Sequence, residues 1–207
     1  KNNINKQSFY DWEKNDFYNT LKTRVNLFFD EHNNTLSHRD VPEMYIKTFA
    51  IMYLWFMSWY YTVIKGSYIG AIFLGISCSL IGTCLMHDAN HGAYSKSTWI
   101  NKIGGWGMDF IGSCGFVWEF QHVNGHHAYT NLMIDNPLHI ENDPDVFSSY
   151  PFIRMHPTNK LKWYHKYQHI YCFFVFAFFT MLKVFKDDYD CIFGGHVFKI
   201  DMTPRLS

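Results

Sequence analysis

The chain has 207 residues, of which 20 % are aromatic and 17 % charged, and its 18 Lys and Arg balance its 18 Asp and Glu. That composition is too apolar for a disordered chain and carries too little basic charge for nucleic-acid binding, and the length suits one domain or part of one. Twelve histidines, clustered rather than scattered, are its oddest feature, because histidine is the commonest metal ligand.

In chain order, residues 1–41 are polar, open on Lys1 and show no signal-peptide pattern, so the sequence reads as a fragment. Phe17, Leu21, Val25 and Phe28 recur every three to four residues, a helical stripe suited either to a membrane surface or to a soluble core. Residues 48–64, "TFAIMYLWFMSWYYTVI", and 68–86, "YIGAIFLGISCSLIGTCLM", are then uncharged runs of seventeen and nineteen residues. Both fall in the range of roughly 17 to 25 residues that spans a bilayer. Only Lys65, Gly66 and Ser67 separate them, so the pair predicts a tight antiparallel helical hairpin. The mean hydropathy of −0.18 is pulled down by the polar stretches on either side.

Residues 97–118 are glycine-rich with Trp99, Trp106 and Trp118, which predicts short interfacial helices. Residues 170–182, "IYCFFVFAFFTML", form a third uncharged run of thirteen, a length for a buried or interfacial helix. Extended to Phe185, the run could cross a bilayer with Lys183 snorkelling to water. Seven Lys or Arg precede the first run and six lie between Lys96 and Lys166, which places the N-terminus and residues 87–169 in the cytosol. Cys78, Cys84, Cys114, Cys172 and Cys191 form no CxxC pair and read as packing residues.

The histidines carry the chemistry. His87 and His91, in "HDANH", are four apart where the second run ends, so on a continuing helix they share one face and can close on one metal. Alone, such a pair is equally a surface or capping motif. "QHVNGHH" adds His122, His126 and His127, giving five imidazoles within forty-one residues. Imidazole suits zinc, copper, iron and nickel alike. A zinc peptidase of the HExxH type would need Glu where Asp88 stands, and a bis-histidine haem needs only two ligands. Asp88, Asn90, Asn124 and Gln121 are candidates to hydrogen-bond a ligand's second ring nitrogen. His165 and His169 read as part of an interfacial belt with Trp163, Tyr164, Tyr167 and Tyr171, or as outer ligands or hydrogen-bond partners. His32, His38, His139, His156 and His196 read as loop or surface residues.

The stretches "MHDANHGAYSKSTWINKIGG", "WEFQHVNGHHAYTN", "NDPDV" and "WYHKYQHIY", with "FYNTLKTRVNLFF" and "MYIKTF" upstream, resemble the membrane fatty acid desaturase family. The nearest likeness is to its acyl-lipid, linoleoyl-CoA and front-end types. The resemblance implies an all-α, polytopic membrane protein with a helical hairpin, interfacial helices and a cytosolic histidine-box region. It also implies two non-haem iron ions, with His87 and His91 as a first box and His122, His126 and His127 as a second. It further implies a fatty acyl-CoA or acyl-lipid substrate, O₂, and an outside electron donor, giving a cis double bond at an endoplasmic reticulum membrane. No HPGG haem motif is present, so the donor implied is a separate cytochrome b5 or ferredoxin, unless a fused cytochrome b5 domain precedes Lys1. Asp143, Pro144 and Asp145 match a family turn, with a structural role the simpler account.

The family's third histidine box is not found before Ser207. The expectation is therefore one incomplete desaturase domain over 1–207, inactive by itself. It divides into a juxtamembrane segment 1–41, a hairpin 48–86, a histidine region 87–169 and a third helix 170–185. An acyl tunnel would run between the hairpin arms, lined by Gly70, Gly75, Ser77 and Gly82 or capped by Trp118, although small residues at that spacing are also plain helix-packing positions. Membrane hydroxylases and sterol oxidases share the histidine pattern, and a non-catalytic, zinc-binding membrane protein is the reading from a different class.

Overall fold

The computed structural model describes residues 15–32, 39–132, 143–147, 150–157, 159–197 and 200–203. The fold is mostly helical, with one short β-hairpin. Helix α1, Asp16–Glu31, buries none of its residues. Its apolar stripe forms as the spacing predicts, and Phe17, Leu21, Val25 and Phe28 stay exposed. His38 and His139 lie outside the described residues.

Helix α2, Pro42–Trp59, starts on the proline, whose fixed φ suits a first turn, and runs on into a π-helical turn, Tyr60–Ile64. After a loop turned by Gly66 at φ +64°, Ser67 caps helix α3, Tyr68–Leu80, by accepting from the Gly70 N–H at 3.1 Å. The expected hairpin therefore forms, and its small residues pack it. A Cβ on Gly70 would lie 2.9 Å from the Thr62 nitrogen, and the buried hydroxyls of Ser58 and Ser77 meet at 3.5 Å. The arms thus pack directly at Gly70 and at Ser77, two of the positions expected to line an acyl tunnel, whereas a Cβ on Gly75 would meet nothing within 4 Å.

A second π-helical segment, Ile81–Met86, carries α3 into the short helix α4, His87–Asn90. By length and apolarity, Tyr68–Asn90 and Trp163–Gly194 are the two helices able to cross a membrane among the described residues. The first hairpin arm falls short of that mark because Tyr53, Trp55, Trp59, Tyr60 and Tyr61 supply amphipathic rings in place of aliphatic side chains.

The glycine-rich stretch forms helices α5, Thr98–Gly105, α6, Gly107–Phe110, and α7, Gly115–Trp118. Helix α5 lies flush against α4 because Gly104 and Gly105 lack side chains. A Cβ on Gly104 would meet that of Ala89 at 2.7 Å, and one on Gly105 would meet Asn90 Oδ1 at 2.3 Å. Asp40 ties the start of α2 to the loop after α4. Its carboxylate accepts from Ser95 Oγ, Tyr45 Oη (2.6 Å) and Lys96 N (2.7 Å). These bonds, led by that of Ser95, hold the Asp40 carboxyl down at about 2.

Helix α7 continues as a π-helix, Glu119–His126, and α8, Pro144–Phe147, follows. The last long helix begins as a 3₁₀ turn, Trp163–Tyr167, becomes α9, Gln168–Leu182, passes through a π turn, Lys183–Asp187, and ends as α10, Asp188–Gly194. His165 is buried in the first of these turns rather than set in an aromatic belt. Its Nε2 donates to Pro151 O at 2.8 Å and its Nδ1 accepts from Lys162 N at 3.0 Å. Strands β1, His196–Val197, and β2, Ile200–Asp201, pair antiparallel with Val197 opposite Ile200. Val197 and Met202 bury against Val117 and Phe120, so the C-terminal hairpin packs beneath the helix that carries the second histidine cluster.

Candidate metal centre

His87 and His91 stand one helical turn apart, with ring centroids 4.6 Å apart and His91 N bonded to His87 O at 3.1 Å. The second cluster sits on the π-helix, where the hydrogen bond runs from residue i+5 to residue i, here from His127 N to His122 O at 3.0 Å. On an α-helix His122 would face His126. The π geometry instead brings His127 over His122, with Nε2 atoms 3.2 Å apart, while His126 stacks beside it at 5.0 Å.

The two clusters converge. Ligand atoms of His87, His91, His122 and His127 all lie within 4.8 Å of one another, and His122, His126 and Asp145 form a second such group. The indole of Trp118 stacks on His122 at 4.4 Å, so it braces the imidazoles rather than capping a tunnel.

Carboxylates set the tautomers of the second cluster. His122 Nδ1 lies 2.8 Å from Asp145 Oδ2, and His126 Nδ1 lies 3.0 Å from both oxygens of Asp143. A carboxylate only accepts, so each Nδ1 carries a proton, and Nε2 is the nitrogen each ring offers to a metal. Asp143 is fully buried and also accepts from Asn131 N (2.7 Å) and Asp145 N (2.9 Å). The Asp-Pro-Asp stretch is thus more than a turn. Its role was hidden because the partners lie 17 and 23 residues apart in sequence.

Of the other polar candidates, Asp88 approaches His87 Nδ1 at 3.3 Å. Asn90 instead points its amide at Met86 Sδ, 3.1 Å away, because Gly105 presses on that side. Asn124 is exposed and donates to none of the five imidazoles. Gln121 acts one step removed, donating to Asp145 Oδ1 at 2.9 Å. Lys183 does not snorkel to water. It turns inward to Gln121 Oε1 (3.0 Å) and Asp188 Oδ1 (2.8 Å), because a buried carboxylate is waiting there.

The cluster fits a metal on its own terms. His91 Nε2 is buried with no hydrogen-bond partner, and a buried polar atom left unpaired is costly. Desolvation first, then the facing His87, His127 and His122, pull the His91 pKa to about 4, and desolvation lowers that of His127. Imidazoles whose ring nitrogens converge, with burial disfavouring protonation at His91 and His127, are what a transition-metal ion needs. A groove of about 1540 Å³ runs past the first-box turn, lined by Tyr45, Met52, Leu85, Ala89, Ile103 and Phe116 among others.

Over residues 66–198 the chain matches the family model described as fatty acid desaturase. It is 37 % identical over 168 residues to the sn-1 linoleoyl-lipid 6-desaturase of Arthrospira platensis, covering 78 % of this chain and 43 % of that protein. It is 32 % identical over 205 residues to the acyl-lipid (8-3)-desaturase of Physcomitrium patens, covering 95 % and 41 %. It is 34 % identical over 200 residues to a probable Delta(5) fatty acid desaturase C of Dictyostelium discoideum, covering 91 % and 40 %. The chain spans less than half the length of these relatives. No solved structure matches it.

Proposed function

The chain belongs to the fatty acid desaturase family, and from that premise we propose that it is the histidine-box portion of an O₂-dependent acyl desaturase acting on an acyl-lipid or acyl-CoA. The observation that carries this reading is the meeting of His87, His91, His122 and His127 within 4.8 Å, although the two boxes lie far apart in sequence.

His87, His91, His122, His126 and His127 would hold two non-haem iron ions, with further ligands from outside these boxes. Bound iron and O₂ supply the oxidising power to take hydrogen from an unactivated methylene. The protein's part is positional. Asp145 and Asp143 keep the Nδ1 protons of His122 and His126 in place, which turns their Nε2 lone pairs inward. The groove beside the first-box turn takes the acyl chain. The overall reaction removes two hydrogens from adjacent carbons, while two electrons, delivered one at a time by a donor such as cytochrome b5 or ferredoxin, and two protons from solvent complete the reduction of O₂ to two waters. We place the protein in the endoplasmic reticulum membrane with the boxes facing the cytosol, in line with the lysine and arginine bias and the two span-length helices.

Expressing the whole protein in yeast and profiling fatty acids by mass spectrometry tests this. A new cis-unsaturated acyl chain that disappears on His122→Ala is expected. A hydroxylated product would reject desaturation. An unchanged lipid profile with tight zinc binding would favour a non-catalytic metal-binding protein.

A further inference from the structure

We propose that Gln121 and Lys183 are positioning residues for the imidazole of His122, the outer links of a polar chain that holds the Asp145 carboxylate against its Nδ1. The proposal rests on the histidine-held metal centre above and adds to it a residue from a distant helix.

The geometry permits one arrangement. The Lys183 ammonium has only protons to give and the Asp145 carboxylate only lone pairs, so an amide between them fits one way round. Gln121 Oε1 receives Lys183 Nζ at 3.0 Å, and Gln121 Nε2 donates to Asp145 Oδ1 at 2.9 Å. Reversing the amide would set donor against donor and acceptor against acceptor. The other oxygen of Asp145 faces His122 Nδ1 at 2.8 Å; a carboxylate only accepts, so Lys183 and Gln121 act by holding Asp145 where it keeps a proton on that nitrogen.

The far end is anchored. Asp188 is 3 % exposed, holds Lys183 Nζ at 2.8 Å, and accepts from Ser113 Oγ and from Cys114 N at 2.7 Å. Those two residues lead into α7, the helix that continues to the second box. The ammonium is thereby fixed to the same piece of backbone as the imidazole it positions. Remove it, and the Gln121 amide is free to turn its carbonyl toward Asp145, which would push the carboxylate off His122.

Outer partners of metal-bound histidines typically change metal affinity by roughly 10- to 100-fold. The whole protein in detergent, stripped of metal, is titrated with Co²⁺ and followed by its d–d absorption, with melting temperature recorded for each variant. Lys183→Met and Gln121→Glu should each weaken Co²⁺ binding about tenfold, the low end of that range. Gln121→Glu is the decisive variant because it keeps an acceptor for Lys183, and so the packing, while removing the donor to Asp145. Lys183→Arg keeps a donor and should bind within about twofold of the unaltered protein. Unchanged binding in Gln121→Glu overturns the proposal. So does a loss in Lys183→Met that merely tracks a lowered melting temperature while Gln121→Glu binds normally. His122→Ala separates the two levels: if it leaves Co²⁺ binding intact, the metal reading itself fails, whereas loss in His122→Ala with normal binding in Gln121→Glu sinks only the polar chain.

Discussion

Asp143 has both carboxylate oxygens committed, one to Asp145 N and one to Asn131 N, with His126 Nδ1 at 3.0 Å from each. An amide of the same shape has one acceptor and must set its NH₂ against one of these donors in a fully buried spot. Asp143→Asn should therefore cost about 1–3 kcal/mol of stability, the penalty of a buried donor left unpaired. It should also weaken Co²⁺ binding by roughly 10- to 100-fold, as loss of a histidine's outer partner does. Thermal melting and a Co²⁺ titration check both. Asp40 gives a pH prediction away from the metal. Its folded-state pKa of about 2 lies below the ordinary 3.8, so the unfolded chain takes up the proton first as pH falls. The stabilisation is full above about pH 4 and is lost on the way down to about pH 2. Asp40→Asn should lower the melting temperature at pH 6, and the gap from the unaltered protein should close across that window.

At the scale of elements, the first box depends on how closely α5 approaches α4. Ala89 Cβ is fixed to the backbone and cannot rotate away from a Cβ added at Gly104, 2.7 Å distant, so Gly104→Ala forces the two helices apart. Overpacking of this kind costs about 1–3 kcal/mol, and Co²⁺ affinity should fall with it as His87 and His91 move. At Gly105 the nearest obstacle is the Asn90 amide oxygen, the end of a side chain that can swing aside, and Gly105→Ala should cost less. A comparison of the two melting curves decides whether backbone contact or side-chain contact sets the spacing. The hairpin and the first box were readable from sequence because both follow local rules: uncharged runs long enough to span, and imidazoles four apart on an α-helix. The second box was readable as a cluster but not as a geometry, since nothing in "QHVNGHH" announces the π turn that pairs His122 with His127. Asp145 and Lys183 were out of reach because their partners return from other elements across 23 and 62 residues.

For the whole molecule, Tyr68–Asn90 and Trp163–Gly194 both reach the histidines beyond their midpoints: the first ends beside His91, and the second places Lys183 on Gln121. Two parallel spans would require the chain between them to recross the bilayer. Residues 91–162 contain no uncharged run long enough to do so. Their final stretch instead lies along α9 as irregular chain, with Tyr171 Oη on Phe152 O at 2.7 Å and Arg154 N on Gln168 Oε1 at 3.0 Å. Irregular polar backbone of this sort does not sit in hydrocarbon facing lipid. Trp163–Gly194 is long and apolar enough to span, but the contact of Lys183 with Gln121 and the lack of a recrossing run argue for a helix lying in the interface. With the native cysteines replaced by Ala, Lys160→Cys and Lys186→Cys should react with a membrane-impermeant thiol reagent from the same face as Lys96→Cys. Protection of Lys186→Cys from that face, with labelling from the other, would make α9 a true span and separate Lys183 from the second box in the membrane.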